Sequence, residues 1–297
     1  MVEAGGRGVV LRLWSGSALL IGALLCSGSA QADSELRFEV VPGTLVRARA
    51  TAGGAIEVQG GAARTAQSLH GPADADEGVP RLSAEDVDFD GVPEIVARAS
   101  VGQVNEVVTV HRFNPATGAF AAWPAPSSPH ASCEGFWSLA VDAATRSLTS
   151  ACRSGPMWYT DVYRVGEGRP YLYRAERVLM LDPHAVAQVL SIATTDDDSG
   201  PLAVWSTYVA DGRVLERALG RGLDVPVSGV PLTPLQAHVA AARLPPHHAE
   251  PGDTGTRRYL VAGDAVAVLD ERNGWLQVRY QNPSRGPVLG WIEVTSP

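Results

Sequence analysis

Residues 107–113, with the sequence Val-Val-Thr-Val-His-Arg-Phe, combine β-branched and aromatic side chains and end just before Asn114 and Pro115. Apolar runs of this length that are bounded by turn-forming residues are typical of β-strands. Comparable runs recur at a spacing of roughly 10 residues, which predicts an all-β protein built as an antiparallel sandwich, barrel or propeller-like array. The clearest of these further runs are 36–41, 54–58, 95–99 and 161–165.

One stretch departs from this pattern. Residues 182–192 have a helical periodicity with Pro183 near the start, which favours a short helix. Val186, Val189 and Ile192 would also suit a strand. Both interpretations remain open at the level of the sequence.

Length and composition limit the function classes. The chain has 297 residues, enough for one large domain or two ordinary ones, and its 45% hydrophobic content can form a real core. This composition excludes a chain that is disordered as a whole. A net charge of −8 argues against nucleic-acid binding, which needs a basic surface.

The N-terminus has the order of a secretory signal peptide. Arg7 and Arg12 precede the apolar run 18–25, and Ala30-Gln31-Ala32 provides a small-residue cleavage site. We therefore predict a signal peptide over 1–32 and a periplasmic or secreted protein. Lipid anchoring through Cys26 is not expected, because Leu25 replaces the small residue that precedes an acylated cysteine. The mature chain contains no apolar run of membrane-spanning length, so no transmembrane segment is expected.

Two cysteines remain after cleavage, Cys133 and Cys152, and an exported chain favours a disulfide between them. Strands over 136–141 and 147–152, joined by the turn 142–145, would bring them close. Perfect register leaves the two cysteines about two residues out of step, an offset that a bulge could absorb. A cysteine nucleophile or metal pair is disfavoured, because neither residue has a nearby histidine or CxxC partner.

An acidic loop at 86–94 is the candidate metal site. Calcium takes six to eight oxygen ligands, and alternating acidic side chains on a tight loop converge on one point. The predicted ligands are Asp86, Asp88, Asp90, the carbonyl of Val92, and Glu94, with Gly91 permitting the turn. Ala97 stands where an EF-hand has its bidentate glutamate, so a structural cation is expected and not a helix–loop–helix sensor. The alternative is a solvated turn that binds no ion.

Segment 86–95 resembles the D-x-[DN]-x-D-G-x-x-[DE]-[LI] signature of FG-GAP-like calcium-loop β-proteins. Segments 108–120, 146–150 and 163–164 resemble later strands of that group, so the similarity covers about 33–190. The group includes periplasmic lysozyme inhibitors and immunity lipoproteins. In such inhibitors a short Ser-Gly loop ending in tyrosine enters the lysozyme cleft, which would give a binding role to Ser154, Gly155 and Tyr159. The segment here is one residue longer and contains Pro156, and an ordinary hairpin turn remains the alternative.

Residues 238–297 resemble a bacterial SH3-like (SH3b) domain. Segments 259–269, 274–280 and 288–292 match its "y-L-v-x-G-D-x-V-x-v", "g-W-x-x-V-x-Y" and "x-G-W-[IL]" patterns in order and spacing. The resemblance implies a small β-barrel, in which Trp275 and Trp291 either line a ligand groove or pack in the core.

These features predict a signal peptide at 1–32, an FG-GAP-like domain at 33–200, a connecting segment with strands at 201–237 and an SH3-like domain at 238–297. The chain lacks a phosphate loop, a G-x-S-x-G elbow and an H-E-x-x-H helix, so no catalytic residues are assigned and an enzyme is not expected. We expect a non-enzymatic binding protein for peptidoglycan or an envelope protein. The alternative is an inhibitor or immunity protein against a lysozyme-like cell-wall hydrolase.

Overall fold

A computed structural model describes residues 35–60, 66–73, 78–192, 200–248 and 258–294. The signal peptide predicted at 1–32, with Cys26, lies outside these residues. The first sheet is an antiparallel meander in which each strand pairs with the next. Its strands are β1 (Glu35–Val41), β2 (Thr44–Ala50), β3 (Ala55–Gly60) and β4 (Gln67–His70).

The second sheet continues this antiparallel order, except that its last short strand pairs back onto the third strand of the sheet. Its strands are β5 (Arg81–Glu85), β6 (Glu94–Val101), β7 (Asn105–Asn114), β8 (Ala119–Ala122) and β9 (Phe136–Trp137). The run Ile95-Val96-Ala97 in β6 is buried on both faces, because Ile95 and Ala97 contact the core of the first sheet while Val96 faces the third.

The third sheet has six strands in the order β10-β11-β12-β13-β15-β16. In chain order the elements of this region are β10 (Ala140–Asp142), β11 (Ser147–Ser154), β12 (Met157–Gly166), β13 (Arg169–Val178), α1 (Pro183–Val189), β14 (Leu190–Ile192), β15 (Leu202–Tyr208) and β16 (Val214–Arg221). Both interpretations of 182–192 are correct in part: the segment forms the helix α1 first and the strand β14 directly after it. Asp182 caps α1 by accepting the His184 amide at 2.9 Å, and Pro183 occupies its first turn.

The fourth sheet contains most of the segment predicted to be SH3-like, in the order β14-β17-β20-β21-β22. The remaining strands are β17 (Gln236–Val239), β18 (Arg243–Leu244), β19 (Leu260–Val261), β20 (Ala265–Arg272), β21 (Trp275–Asn282) and β22 (Gly286–Glu293). β18 and β19 form a separate pair. None of the sheets in the described part of the chain closes on itself, so the barrel expected here is an open sheet.

The prediction of an all-β antiparallel fold is confirmed, and the stacked sheets fit a sandwich. Three apolar clusters join neighbouring sheets, and the last of them combines Leu190 and Leu219 with Val266 and Ile292. The described residues, all from position 35 onwards, form one compact unit. Segment 201–237, expected as a connecting segment with strands, supplies β15 and β16 to the third sheet. Across the described residues, no helix is long and apolar enough to cross a bilayer.

The predicted disulfide between Cys133 and Cys152 is present, with a Cα–Cα distance of 6.2 Å. A cross-link over this sequence separation of 19 restricts the unfolded chain, and its loss is expected to cost about 3 kcal/mol. We expect urea unfolding of the Cys133→Ala/Cys152→Ala variant to give a free energy of unfolding lower than that of the wild type by this amount. Two free thiols in mass spectra of the unreduced, exported protein would contradict this prediction.

Candidate functional site

The acidic loop connects β5 to β6 across the pair Glu85 and Glu94. Backbone amides of the loop donate hydrogen bonds to its own carboxylates. The Asp90 amide donates to Asp86 Oδ1 and to Asp88 Oδ1, each at 3.1 Å. The Gly91 amide donates to Asp86 Oδ2 at 3.1 Å. Gly91 has a φ of 87°, a left-handed conformation that a glycine adopts without steric cost. The glycine at this position therefore allows the loop to close around its acidic side chains.

Three of the predicted ligands come together. One carboxylate oxygen from each of Asp86, Asp88 and Glu94 lies within 4.8 Å of the other two. Glu94 is fully buried; its Oε2 accepts the Val87 amide at 2.8 Å, while its Oε1 has no hydrogen-bond partner among the described residues. A buried carboxylate oxygen without a partner is costly unless a cation or a proton compensates it.

The electrostatics of the cluster point the same way. Burial raises the pKa of Glu94 to about 8, and the charges of Asp88, Asp90 and Asp86 add to the effect. Burial and the charge of Asp90 also raise the pKa of Asp88. Converging oxygens that repel one another's negative charge are the arrangement that a hard cation stabilises.

Asp90, a fourth predicted ligand, is oriented towards Arg112. The guanidinium of Arg112 forms ion pairs with Asp88 and, at 2.8 Å, with Asp90 Oδ2. Burial favours the protonated form of Asp90, but the hydrogen bond and charge of Arg112, together with the Val92 amide and Asp88, outweigh it and lower the pKa of this carboxyl. At Val92, whose carbonyl was a predicted ligand, the amide donates to Asp90 Oδ1 at 2.8 Å. Arg112 was not identified from the sequence, although it lies in the resembling segment 108–120.

A second arginine holds the tip of the loop. Phe89 has a φ of 62°, an uncommon conformation for an aromatic residue. Arg146 donates to the Phe89 carbonyl at 3.1 Å, and its guanidinium carbon lies 5.4 Å from the centre of the Phe89 ring. The loop conformation is therefore fixed by a contact from the third sheet.

The predicted binding loop forms the β11–β12 hairpin, with Ser154 paired to Met157 across the turn. Ser154 and Gly155 are exposed, and Gly155 has a φ of 58°. Asn105 braces the hairpin, because its side chain donates to the Arg153 carbonyl at 3.0 Å and accepts the Arg153 amide at 2.8 Å. Tyr159 is half-buried on β12 and borders a cleft between the third sheet and residues 270–273.

The two tryptophans of the SH3-like segment are both buried, each with 7% of its surface exposed. The His247 ring packs edge-on against Trp275 at 5.1 Å, and the Arg272 guanidinium carbon lies 5.3 Å from the Trp291 ring centre. Of the two roles considered for these residues, the burial of both rings favours packing, and a ligand-binding role stays a prediction.

Comparisons with known proteins assign no family. No family model matches the chain, and no curated protein matches it. Among solved structures, the crystal structure of Sqt1 from Saccharomyces cerevisiae aligns over 88% of this chain and 86% of its own, at 10% sequence identity and a TM-score of 0.27. Similarity at this level does not assign a fold or a function.

Proposed function

We propose that this chain is an exported, non-enzymatic binding protein of the bacterial cell envelope whose fold is stabilised by a calcium ion. The convergence of Asp86, Asp88 and the unpartnered Oε1 of buried Glu94 is the observation that carries the calcium part of the proposal. The envelope location and the peptidoglycan or protein partner rest on the signal-like N-terminus and on the SH3-like resemblance.

Calcium binding to the folded state is expected to raise its stability. At a free calcium concentration of about 100 times Kd, mass action contributes about 2.7 kcal/mol. For a chain of this size that corresponds to a rise in Tm of roughly 5–10 °C. Differential scanning calorimetry in EDTA and in excess calcium measures this shift.

The Asp86→Asn variant tests the assignment of the ligands. Asparagine retains an acceptor oxygen for the loop amides but removes one negative charge, so we expect the calcium-dependent rise in Tm to be lost. Asp211→Asn is the matched control, since Asp211 also accepts a turn amide, from Arg213 at 2.9 Å, and lies in the β15–β16 turn. Identical wild-type melting curves in EDTA and in calcium would show that the acidic loop is only a turn.

The partner is tested by comparing capture of proteins from periplasmic extract with sedimentation on purified peptidoglycan. Retention by peptidoglycan would support recognition of the wall itself, and retention of a single envelope protein would support a protein partner. Release of labelled fragments from peptidoglycan by the pure protein would contradict the non-enzymatic proposal.

A second candidate function is inhibition of a lysozyme-like hydrolase through the segment that contains Ser154, Gly155 and Tyr159. The exposed and braced hairpin tip favours it, because a rigid protruding turn enters a cleft at low entropic cost. Lysozyme turnover measured with the wild type and with Gly155→Trp tests this function. Equal turnover with and without the wild-type protein would eliminate it.

A further inference from the structure

A cleft of about 780 Å³ lies over one face of the third sheet, away from the acidic loop. Its margins are the loop 129–132 on one side and residues 270–273 of the β20–β21 hairpin on the other. This volume is in the range of sites that hold small ligands.

The floor of the cleft includes Ala175, Ser206 and Arg217, which share one cross-strand row with the buried Asp161. Strand register places Asp161 opposite Ala175, Ala175 opposite Ser206, and Ser206 opposite Arg217. Residues that are directly opposite across neighbouring strands share a face. On one side of this row, the sheet face packs against the second sheet through Tyr163, and on the other it packs against the fourth through Leu219.

Three arginines surround one buried carboxylate at the hairpin margin. Asp270 is only 3% exposed. Its Oδ2 lies 2.9 Å from Arg217 Nη1 and 3.4 Å from Arg272 Nε, and its Oδ1 lies 3.3 Å from Arg177 Nη2. Arg177 also pairs with Glu271 at 2.5 Å. Three guanidinium groups therefore face two carboxylates at this margin, which leaves one net positive charge within the cluster of Arg177, Arg217, Arg272, Asp270 and Glu271.

Arg217 retains capacity to bind a further anion. A guanidinium has five N–H donors, and within the described residues Arg217 donates one hydrogen bond, to Asp270. Arg217 and Arg177 are partly exposed, at 31% and 52% of their side-chain surfaces. Two further acids lie near the cleft but outside the arginine cluster: the buried Asp161 accepts the amides of Ser132 and Cys133, and the Glu176 side chain lies on the opposite face of the sheet, cross-strand from Trp205.

Aromatic groups line the same cleft and offer a surface for the organic part of a ligand. The His130 ring stacks on Tyr208 with centroids 4.9 Å apart and an interplanar angle of 15°. Tyr159 lines the wall formed by β12. An aromatic wall beside a singly positive arginine cluster fits an organic molecule that carries one carboxylate.

We propose that this cleft binds a carboxylate-bearing ligand, with the carboxylate held by Arg217 and its neighbour Arg177 and the organic part against the exposed His130 ring and Tyr159. This inference rests on the proposed binding function and names the site and the ligand class. A free monocarboxylate and the C-terminus of a peptide share this chemistry.

The test is a titration of the ¹⁵N-labelled, calcium-saturated protein, followed by NMR of the arginine Nε–H groups. The probes are N-acetylalanine, N-acetylalaninamide, tetra-alanine with a free C-terminus, its amidated form, and inorganic phosphate. We expect both free acids to shift the Arg217 signal and the amides to bind at least 10-fold more weakly. A peptide affinity at least 10-fold above that of N-acetylalanine identifies a peptide terminus as the ligand, and equal affinities identify a small carboxylate.

Arg217→Gln is expected to weaken binding of the free acids at least 10-fold, while Arg169→Gln, on an exposed position of β13, should change it less than twofold. The wild-type titration needs no variant, so it remains decisive if Arg217→Gln fails to fold. Equal binding of acids and amides, no binding of any acid, or phosphate binding as tight as the acids would overturn the inference. None of these outcomes alters the calcium response, so failure here is distinguishable from failure of the calcium proposal.

Discussion

Replacing Arg174 by methionine is expected to lower the free energy of unfolding by about 3–5 kcal/mol, the usual cost of removing one partner from a buried ionic network. Arg174 is fully buried on β13, on the sheet face opposite the cleft. Its Nη1 donates to the carbonyls of Pro226 and Val227 at 3.1 and 2.8 Å, and its Nη2 donates to that of Val230.

The loss is large because methionine fills similar space but donates no hydrogen bond. The loop over 222–232 is held on the sheet by these carbonyl contacts, and Thr207 also accepts Arg174 Nε at 3.0 Å. Glu216, whose Oε1 lies 3.5 Å from Arg174 Nη2, would lose its cationic partner. Three valines of this loop are exposed and contribute little buried apolar surface, so the polar contacts hold the loop in place: Val225, Val227 and Val230.

Urea unfolding of Arg174→Met, wild type and Arg169→Met measures the effect, with the last as a control on an exposed position of the same strand. Limited proteolysis should show earlier cleavage within 222–232 in Arg174→Met alone. A loss below 1 kcal/mol, or unchanged proteolysis of the loop, would mean that the loop does not depend on this arginine.

Strand positions could be predicted from the sequence because β-branched runs between turn residues report local conformation. The run predicted at 107–113 lies within β7, and that at 161–165 lies within β12. The pairing of residues 136–141 was predicted less well: 140–142 pair with β11, but Phe136 and Trp137 pair with β7. Gly135 and Ser138, on either side of this short strand, have positive φ values.

Contacts between distant segments could not be predicted. Periodicity indicates which residues are buried, but it does not indicate which other segment of the chain they pack against. Strands were expected within 201–237, but the sequence did not predict that β15 and β16 complete the third sheet and share a core with β20 and β22. The arginine cleft depends on the same long-range arrangement, since Arg177, Arg217 and Asp270 are scattered in the sequence.

The acidic loop shows both the strength and the limit of a local motif. Alternating acids and a glycine at 91 predicted a convergent loop, and Asp86, Asp88 and Glu94 do converge. The motif could not predict that Arg112 from β7 would pair with Asp90, because that contact depends on strand pairing and not on spacing.

Glu176→Gln is expected to stabilise the protein at alkaline pH, and by more as the pH rises. Glu176 is 4% exposed, and burial together with the charge of Asp161 outweighs the neighbouring Thr160 and raises its pKa to about 8 from 4.5. Folding therefore opposes ionisation of this carboxyl. Below pH 4.5 the group is protonated in both states and costs nothing; between pH 4.5 and 8 the unfolded state alone ionises, so stability falls as the pH rises.

Each unit of pKa difference corresponds to about 1.4 kcal/mol, so the full shift represents a loss of up to roughly 5 kcal/mol above pH 8. Glutamine has a similar shape and no charge, and it removes this dependence. Glu94 carries a shift in the same direction, so the informative quantity is the difference between wild type and Glu176→Gln, measured by urea unfolding in EDTA from pH 4 to 9. That difference should be near zero at pH 4 and grow to several kcal/mol at pH 9, while Glu57→Gln, at an exposed position of β3, should show no such growth. A difference that stays constant across this range would mean that Glu176 ionises in the folded protein as easily as in water, and that its side chain is therefore reached by solvent.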